Sequence, residues 1–284
     1  MARRDGPLVY VLLLVGVTAV WGWTFVLVKD AISQYPTLPF LAVRFALAFA
    51  VLALLGRRLP DLRTLKLGVV VGCALAAGYL LQTVGLQYTS PGNAGLITGL
   101  FVVFTPLIER VTGRPAGLRT YVAVVAALAG TALLAGGGSA RIGVGDLLVV
   151  GCALAFAVHI VLLSHWSPGL PSGPLATVQM LTAAVLFTAG GAPSLRPIAS
   201  LLVWFALVIT GVFASALAFF IQTWAQVHLT ASRTALILAT EPAWALGFSV
   251  LLTGQRLDLV QGVGAALVLG AVIGHEFSAG RKPA

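Results

Sequence analysis

The chain has 284 residues and a formal net charge of +9, and it is 59% apolar and only 9% charged. Soluble domains carry about 25% charged residues, and the 17 basic and 8 acidic residues here cannot cover a globule of this length, which excludes the soluble classes. A basic balance in a soluble protein would suggest nucleic acid; at a mean hydropathy of +1.03 the cations read instead as topology markers, and no nucleic-acid partner is expected.

A helix crossing the hydrocarbon core needs about 20 apolar residues. Apolar runs bounded by charges and by Pro or Gly clusters predict ten such helices, which are Leu8–Val28, Leu38–Leu55, Leu67–Leu86, Asn93–Ile108, Tyr121–Ala135, Gly145–Ser164, Leu175–Ala189, Leu201–Gln222, Thr234–Leu252 and Leu259–Phe277. The remaining residues leave no loop long enough to be a domain. The basic start before the first run is like that of a signal peptide. The run continues past Trp23 without Ala-x-Ala cleavage chemistry, however, so an uncleaved first span is expected. Continuous runs exclude the alternating strands of a transmembrane barrel. Cys73 and Cys152 lie inside apolar runs and read as small core residues.

With the N-terminus inside, twelve cations fall in cytoplasmic segments and four (Lys29, Arg141, Arg196 and Arg256) in external ones, while Arg44 lies within the second span. Both termini are therefore expected to be cytoplasmic, in a cell membrane of the bacterial inner or plasma type.

An internal repeat organises the ten spans. Tyr79 to Tyr88, at the end of the third, parallels Phe219 to His228, at the end of the eighth; Gln82-Thr83 falls on Gln222-Thr223 and Leu96-Ile97 on Leu236-Ile237, all at an offset of 140. A weaker match at an offset of 135 sets Trp21-Gly-Trp-Thr on Phe156-Ala-Val-His and Arg44 on Gln179. Third pairs with eighth and first with sixth, so the unit is five spans, and an odd unit enters the second time from the opposite side. The expected fold is all-α and polytopic, with two inverted five-helix repeats over residues 1–138 and 139–284. That architecture is typical of secondary transporters. Gly68-x-x-x-Gly72, Gly95-x-x-x-Gly99 and Gly270-x-x-x-Gly274 are expected to serve close helix packing.

At Ala19-Val-Trp-Gly-Trp-Thr-Phe-Val, at Pro39 to Arg44-Phe45, at Gly85 to Leu100 and at Ala231-Ser-Arg-Thr-Ala-Leu-Ile-Leu-Ala-Thr-Glu-Pro, the sequence resembles the EamA-type members of the drug/metabolite transporter superfamily. These stretches cover both halves. The resemblance implies the same ten-helix inverted repeat around a central cavity and the movement of small metabolites, often amino acids or related compounds, commonly outward. One departure is that Val102 stands where the other half has Pro242, with a proline only one turn later at Pro106.

Ionisable groups inside spans are costly and usually face a cavity or a partner. Glu241, beside Pro242, is the first candidate, either binding a substrate amine or carrying a coupling proton; the alternative is a protonated carboxyl bonded between helices. His159 is the second, as a proton relay or substrate contact, or as a satisfied core histidine. Arg44, near the outer end of the second span, could pair with a substrate anion, but the favoured reading is structural, that it snorkels or caps a neighbouring helix. Gln82, Thr98, Gln179 and Gln222, with Thr83 and Thr223, offer directional contacts or interhelical hydrogen bonds. Trp21, Trp23, Tyr79, Phe101, Phe219 and Trp244 form a candidate aromatic lining or face lipid, and Trp23 is also a candidate for an interfacial belt. His275-Glu276 and Glu109-Arg110 are expected at a solvated cytoplasmic rim. No Walker A, His-Glu-x-x-His or Gly-x-Ser-x-Gly sequence occurs, and no cofactor or metal is expected. These features point to a transporter with a small-molecule substrate, protons as a candidate second partner and the lipid bilayer as surroundings, acting as a monomer or homodimer. The competing class is an intramembrane enzyme acting on lipid or prenyl substrates. It would need acids, or a histidine and a nucleophile, clustered at one depth.

Overall fold

The computed structural model describes residues 7–56, 58–134, 143–253 and 259–280, and the regular structure among them is helical. The first half contains α1 (Pro7–Gln34), α2 (Thr37–Leu55), α3 (Leu62–Tyr88), α4 (Pro91–Thr98), α5 (Phe101–Val111) and α6 (Leu118–Leu134). The second contains α7 (Val144–Trp166), α8 (Ser172–Gly191), α9 (Leu201–Val208), a π-helical segment (Ile209–Leu217), α10 (Ala218–Gln226), α11 (Ala231–Leu238), α12 (Glu241–Thr253) and α13 (Leu259–Gly280). Polar side chains set several starts. Asp61 accepts from the Thr64 amide at 2.7 Å to cap α3, and Ser90 accepts from the Asn93 amide at 3.1 Å to cap α4. Pro36 and Pro171 stand immediately before α2 and α8.

Among the described residues, eight stretches are long and apolar enough to cross a membrane: Leu8–Gln34, Thr37–Leu55, Leu62–Tyr88, Pro91–Val111, Val144–Trp166, Ser172–Ser194, Leu201–Gln226 and Leu259–Phe277. α6, at 17 residues, falls just short of that length. The ninth expected span is divided into α11 and α12, and the fourth into α4 and α5. In both, one turn breaks in the same register. Gly99 N–H donates to Gly95 O, Leu100 to Ile97, Val103 to Leu100 and Phe104 to Leu100. At an offset of 140, Ala239 donates to Ala235, Thr240 to Ile237, Ala243 to Thr240 and Trp244 to Thr240. The one bond without a counterpart runs from Val102 N–H to Gly99 O, because Pro242 has no N–H to give.

Glycines let the helices approach closely. A Cβ on Gly145 would lie 2.8 Å from Gly85 O, and one on Gly85 would lie 2.9 Å from Gly145 O, so α3 and α7 touch through backbone. Gly68 and Gly72 meet Val178, Gln179 and Thr182 of α8 in the same way, as their spacing suggested. Gly270 and Gly274 do not: nothing lies within 4 Å of their Cβ positions, and the tight crossing of α13 on α6 is made by Gly264 against Gly130. Spacing alone does not say which face of a helix carries the contact.

Two large apolar clusters, with a smaller one of Val71, Leu163, Leu170 and Leu175, form the interior among the described residues. One large cluster is built around Phe40, Phe45, Leu75, Met180 and Phe187, the other around Leu14, Val102, Ile160, Leu236 and Ile237. Trp21 and Phe156 pack against both, which puts them at the boundary. Outside, Leu12, Val26, Leu54, Val125, Leu147 and Phe277 are exposed, a surface suited to lipid rather than water. Cys152 is buried as expected, but Cys73 belongs to this exterior.

Candidate functional site

Between the two clusters lies a cavity with about 630 Å³ of space between its atoms, of which about 50 Å³ is wide enough for the centre of a water molecule. A water needs about 10–15 Å³ by that measure, so the cavity is narrow, with room for a few waters or one small solute. Its wall comes from α1 (Trp21, Thr24, Phe25, Val28), α2 (Arg44), α3 (Tyr79, Gln82, Thr83, Leu86), the first break (Thr98, Phe101), α7 (Phe156, His159, Ile160), α10 (Phe219, Gln222) and the second break (Leu238, Glu241). Fourteen of these eighteen residues fall into seven pairs at the offsets of 135 and 140: Trp21 with Phe156, Thr24 with His159, Phe25 with Ile160, Tyr79 with Phe219, Gln82 with Gln222, Thr98 with Leu238 and Phe101 with Glu241.

Where the partners differ, the chemistry differs. Gln82 Nε2 donates to Thr98 Oγ1 at 3.2 Å. Where Gln82 has Thr98, its counterpart Gln222 has the paired wall position Leu238, which carries no hydroxyl. Gln222 Nε2 donates instead to Gln226 Oε1 at 2.9 Å, and among the described residues its buried Oε1 has no hydrogen-bond partner. Glu241 begins α12 directly after the break and is 5% exposed; among the described residues its carboxyl makes no hydrogen bond or ion pair. α1 braces the break. Thr18 and Thr240 share a hydroxyl hydrogen bond at 2.8 Å, and a Cβ on Gly22 would fall 2.9 Å from Glu241 O.

His159 lines the cavity and bonds through Nε2 to Gln179 Oε1 at 2.8 Å, while Gln179 Nε2 donates to Thr223 Oγ1 at 3.2 Å. Gln179 therefore stands behind the wall as a brace for His159. Aromatic rings pack around the opening. Tyr79 meets Phe156 at 5.3 Å and Phe219 at 5.9 Å between centroids, and Trp21 meets Phe219 at 5.4 Å.

Arg44 departs from its expected place. It neither snorkels nor caps a helix but is 3% exposed, with Nε donating to Ser215 Oγ at 2.9 Å and Nη2 to Tyr79 Oη at 3.2 Å. Ser215 belongs to the π segment, whose Ala214 carbonyl also accepts the Trp21 indole N–H at 2.8 Å. Nothing in the composition of Ile209–Leu217 signals that winding. Phe156, by contrast, was reachable by carrying Trp21 across the offset of 135. Trp244, expected as a lining residue, is 37% exposed, packs against Phe248 and is not part of the wall.

The acids expected on a solvated rim are also engaged. Glu109 is buried and accepts from Ser232 N–H at 3.0 Å and from the Ser232 hydroxyl, at the start of α11. Arg233 Nε donates to Glu276 Oε1 at 2.8 Å, and His275 Nε2 meets Thr120 Oγ1 at 3.1 Å. At the far end of α3, Lys29 donates to the carbonyl oxygens of Leu86, Gln87 and Thr89.

A family profile described as the EamA-like transporter family matches residues 8–136 and again residues 143–275. The chain belongs to the EamA-like transporter family. It is accordingly a multi-pass membrane protein with a transporter role. A relative described as an uncharacterized transporter of Archaeoglobus fulgidus is 34% identical over 261 residues, covering 90% of this chain and 82% of that one. The uncharacterized transporter YyaM of Bacillus subtilis is 27% identical, with 93% and 92% covered, and the uncharacterized inner membrane transporter YedA of Escherichia coli K12 is 29% identical, with 59% and 56% covered. A solved crystal structure superposes with a TM-score of 0.75 over 95% of this chain and 98% of that one at 20% identity, a likeness of fold alone. Among the described residues, no group of three or more His, Cys, Asp or Glu is placed to hold a metal ion.

Proposed function

We propose that this EamA-family protein is a secondary-active or facilitative transporter that moves one small amphipathic metabolite, an amino acid or a related compound, outward by alternating access. The observation that carries this reading is the unpartnered Glu241 carboxyl in a cavity walled by paired positions of two half-chains. In this reading the chain makes ten crossings as two inverted units, residues 1–138 and 139–284, with both ends in the cytoplasm. The breaks at Gly99–Leu100 and Ala239–Thr240 lie at the cavity wall, where non-helical backbone within a membrane is tolerated. Glu241 and His159 are the candidate groups for proton coupling, with Gln82, Thr98, Gln222, Tyr79 and Trp21 as substrate contacts. The test is flux into proteoliposomes across an imposed pH gradient. Glu241→Gln should abolish the pH dependence and cut the rate about tenfold or more, the weight of one charge-assisted contact. Unchanged rate and pH dependence would remove Glu241 from the mechanism.

A further inference from the structure

We infer that Arg44 is the receptor for a carboxylate group on the transported molecule, held in readiness by the π segment. The inference rests on the cavity being the transport site and names the chemical class that site takes. Arg44 is a wall residue and a buried, permanently charged group. A guanidinium has five N–H donors, and two are engaged here, one by the Ser215 hydroxyl and one by the Tyr79 hydroxyl. Both acceptors are neutral. Among the described residues no carboxylate lies within 4 Å of Arg44, and the ion pairs present there involve only Arg233, His275 and Glu276. Burying a cation without a counter-anion is expensive, and a ligand that supplies the anion offsets that cost each time it binds.

The support for Arg44 is specific to one half. Ser215 corresponds at the offset of 140 to Leu75, which lies in the regular helix α3, so neither the hydroxyl nor the π winding has a counterpart. π turns widen the helix and recur at functional sites. This one directs Ser215 at Nε and the Ala214 carbonyl at Trp21, fixing two wall residues from one segment. The Tyr79 ring lies 4.5 Å from the guanidinium carbon and covers one face of it. The remaining N–H groups form the fork that a carboxylate fits in bidentate fashion. One guanidinium balances one negative charge, so the ligand is a monocarboxylate with an apolar or aromatic body against Phe156 and Phe219. The free Gln222 Oε1 adds a place for one N–H or O–H of that ligand.

The full-length protein in detergent tests this with three probes of one skeleton: 3-phenylpropionate, 3-phenylpropionamide and 3-phenylpropylamine. The acid alone should raise the thermal midpoint, since a ligand bound only to the native state stabilises it. Arg44→Gln should weaken the acid about ten- to a hundredfold, and Arg44→Lys should recover part of that loss by restoring charge without the fork. Ser215→Ala, which keeps the cation and preserves helical backbone, should weaken the acid at least threefold, and it keeps the inference testable if Arg44→Gln fails to fold. The inference is overturned if the amide or amine stabilises as well as the acid, if no probe stabilises, or if the acid binds Arg44→Gln or Ser215→Ala as it binds the unaltered protein. Counterflow in proteoliposomes separates the two claims. Acid binding without flux would reject the transport reading and leave the receptor in place.

Discussion

Single side chains decide what the cavity can hold, because its two halves place paired positions on the wall but not the same chemistry. Glu241 stands where the other half has Phe101, and His159 where it has Thr24. His159 depends on Gln179, whose amide bridges it to Thr223. Gln179→Leu removes both bonds and strands a buried imidazole nitrogen. The expected loss is about 1–3 kcal/mol of stability, read as a lower thermal midpoint in detergent, and an unchanged midpoint would show that the bridge bears no load. Thr98→Val should cost less, about 0.6 kcal/mol, because interhelical hydrogen bonds in membranes average that value and Gln82 is only part-buried. At this scale the sequence was a partial guide. Glu241, His159, Gln82 and Gln222 stood out because polar atoms are conspicuous in apolar runs. Arg44 was misplaced because position along a helix gives depth and not the direction in which the side chain points. Glu109 and Glu276 were misplaced because their partners, Ser232 and Arg233, are more than forty residues away in the chain.

At the scale of elements, the two broken helices are positioned by α1 and by one another. Gly22 brings α1 against the backbone of Glu241 and Ala245, where an added Cβ would lie 2.9 and 2.8 Å from the nearest atoms. Gly22→Ala must therefore push α1 off the break. Overpacking of this kind costs about 1–3 kcal/mol, and flux should fall further than the loss of folded protein explains. Flux that tracks folded protein alone would dissociate that contact from transport. Gly264→Ala at the α6 crossing should cost a similar amount of stability while leaving the turnover of the surviving protein unchanged, since no cavity wall residue comes from α6 or α13. Pro242→Ala should not straighten the second break. The first half breaks in the same register with Val102, so the new amide should donate to Ala239 as Val102 donates to Gly99. Its thermal midpoint should hold or rise, and a fall would mean that proline itself maintains the break. The proline pointed to a distortion near Glu241, but the matching break at Leu100 lay hidden inside a continuous apolar run.

The whole molecule was the most legible level. Apolar runs of about 20 residues have one physical outcome in a bilayer, so an all-helical multi-pass fold could be read directly, whereas the π turn over Ile209–Leu217 depends on packing that no local pattern records. Reporter fusions at the two ends test the proposed orientation: both should report the cytoplasm, and a split result would require an odd number of crossings. The shared hydrogen-bond pattern of the two breaks has a consequence for direction. If each half-cycle of the proposed mechanism exchanges the conformations of the two units, two identical units would make the inward- and outward-facing states isoenergetic, and the empty carrier would rest equally on either side. Any resting bias must then be written in the unlike pairs, among them Thr24 with His159, Arg44 with Gln179, Thr98 with Leu238 and Phe101 with Glu241, which differ in polarity or charge. Positions of this kind would set which way an otherwise even-handed machine leans.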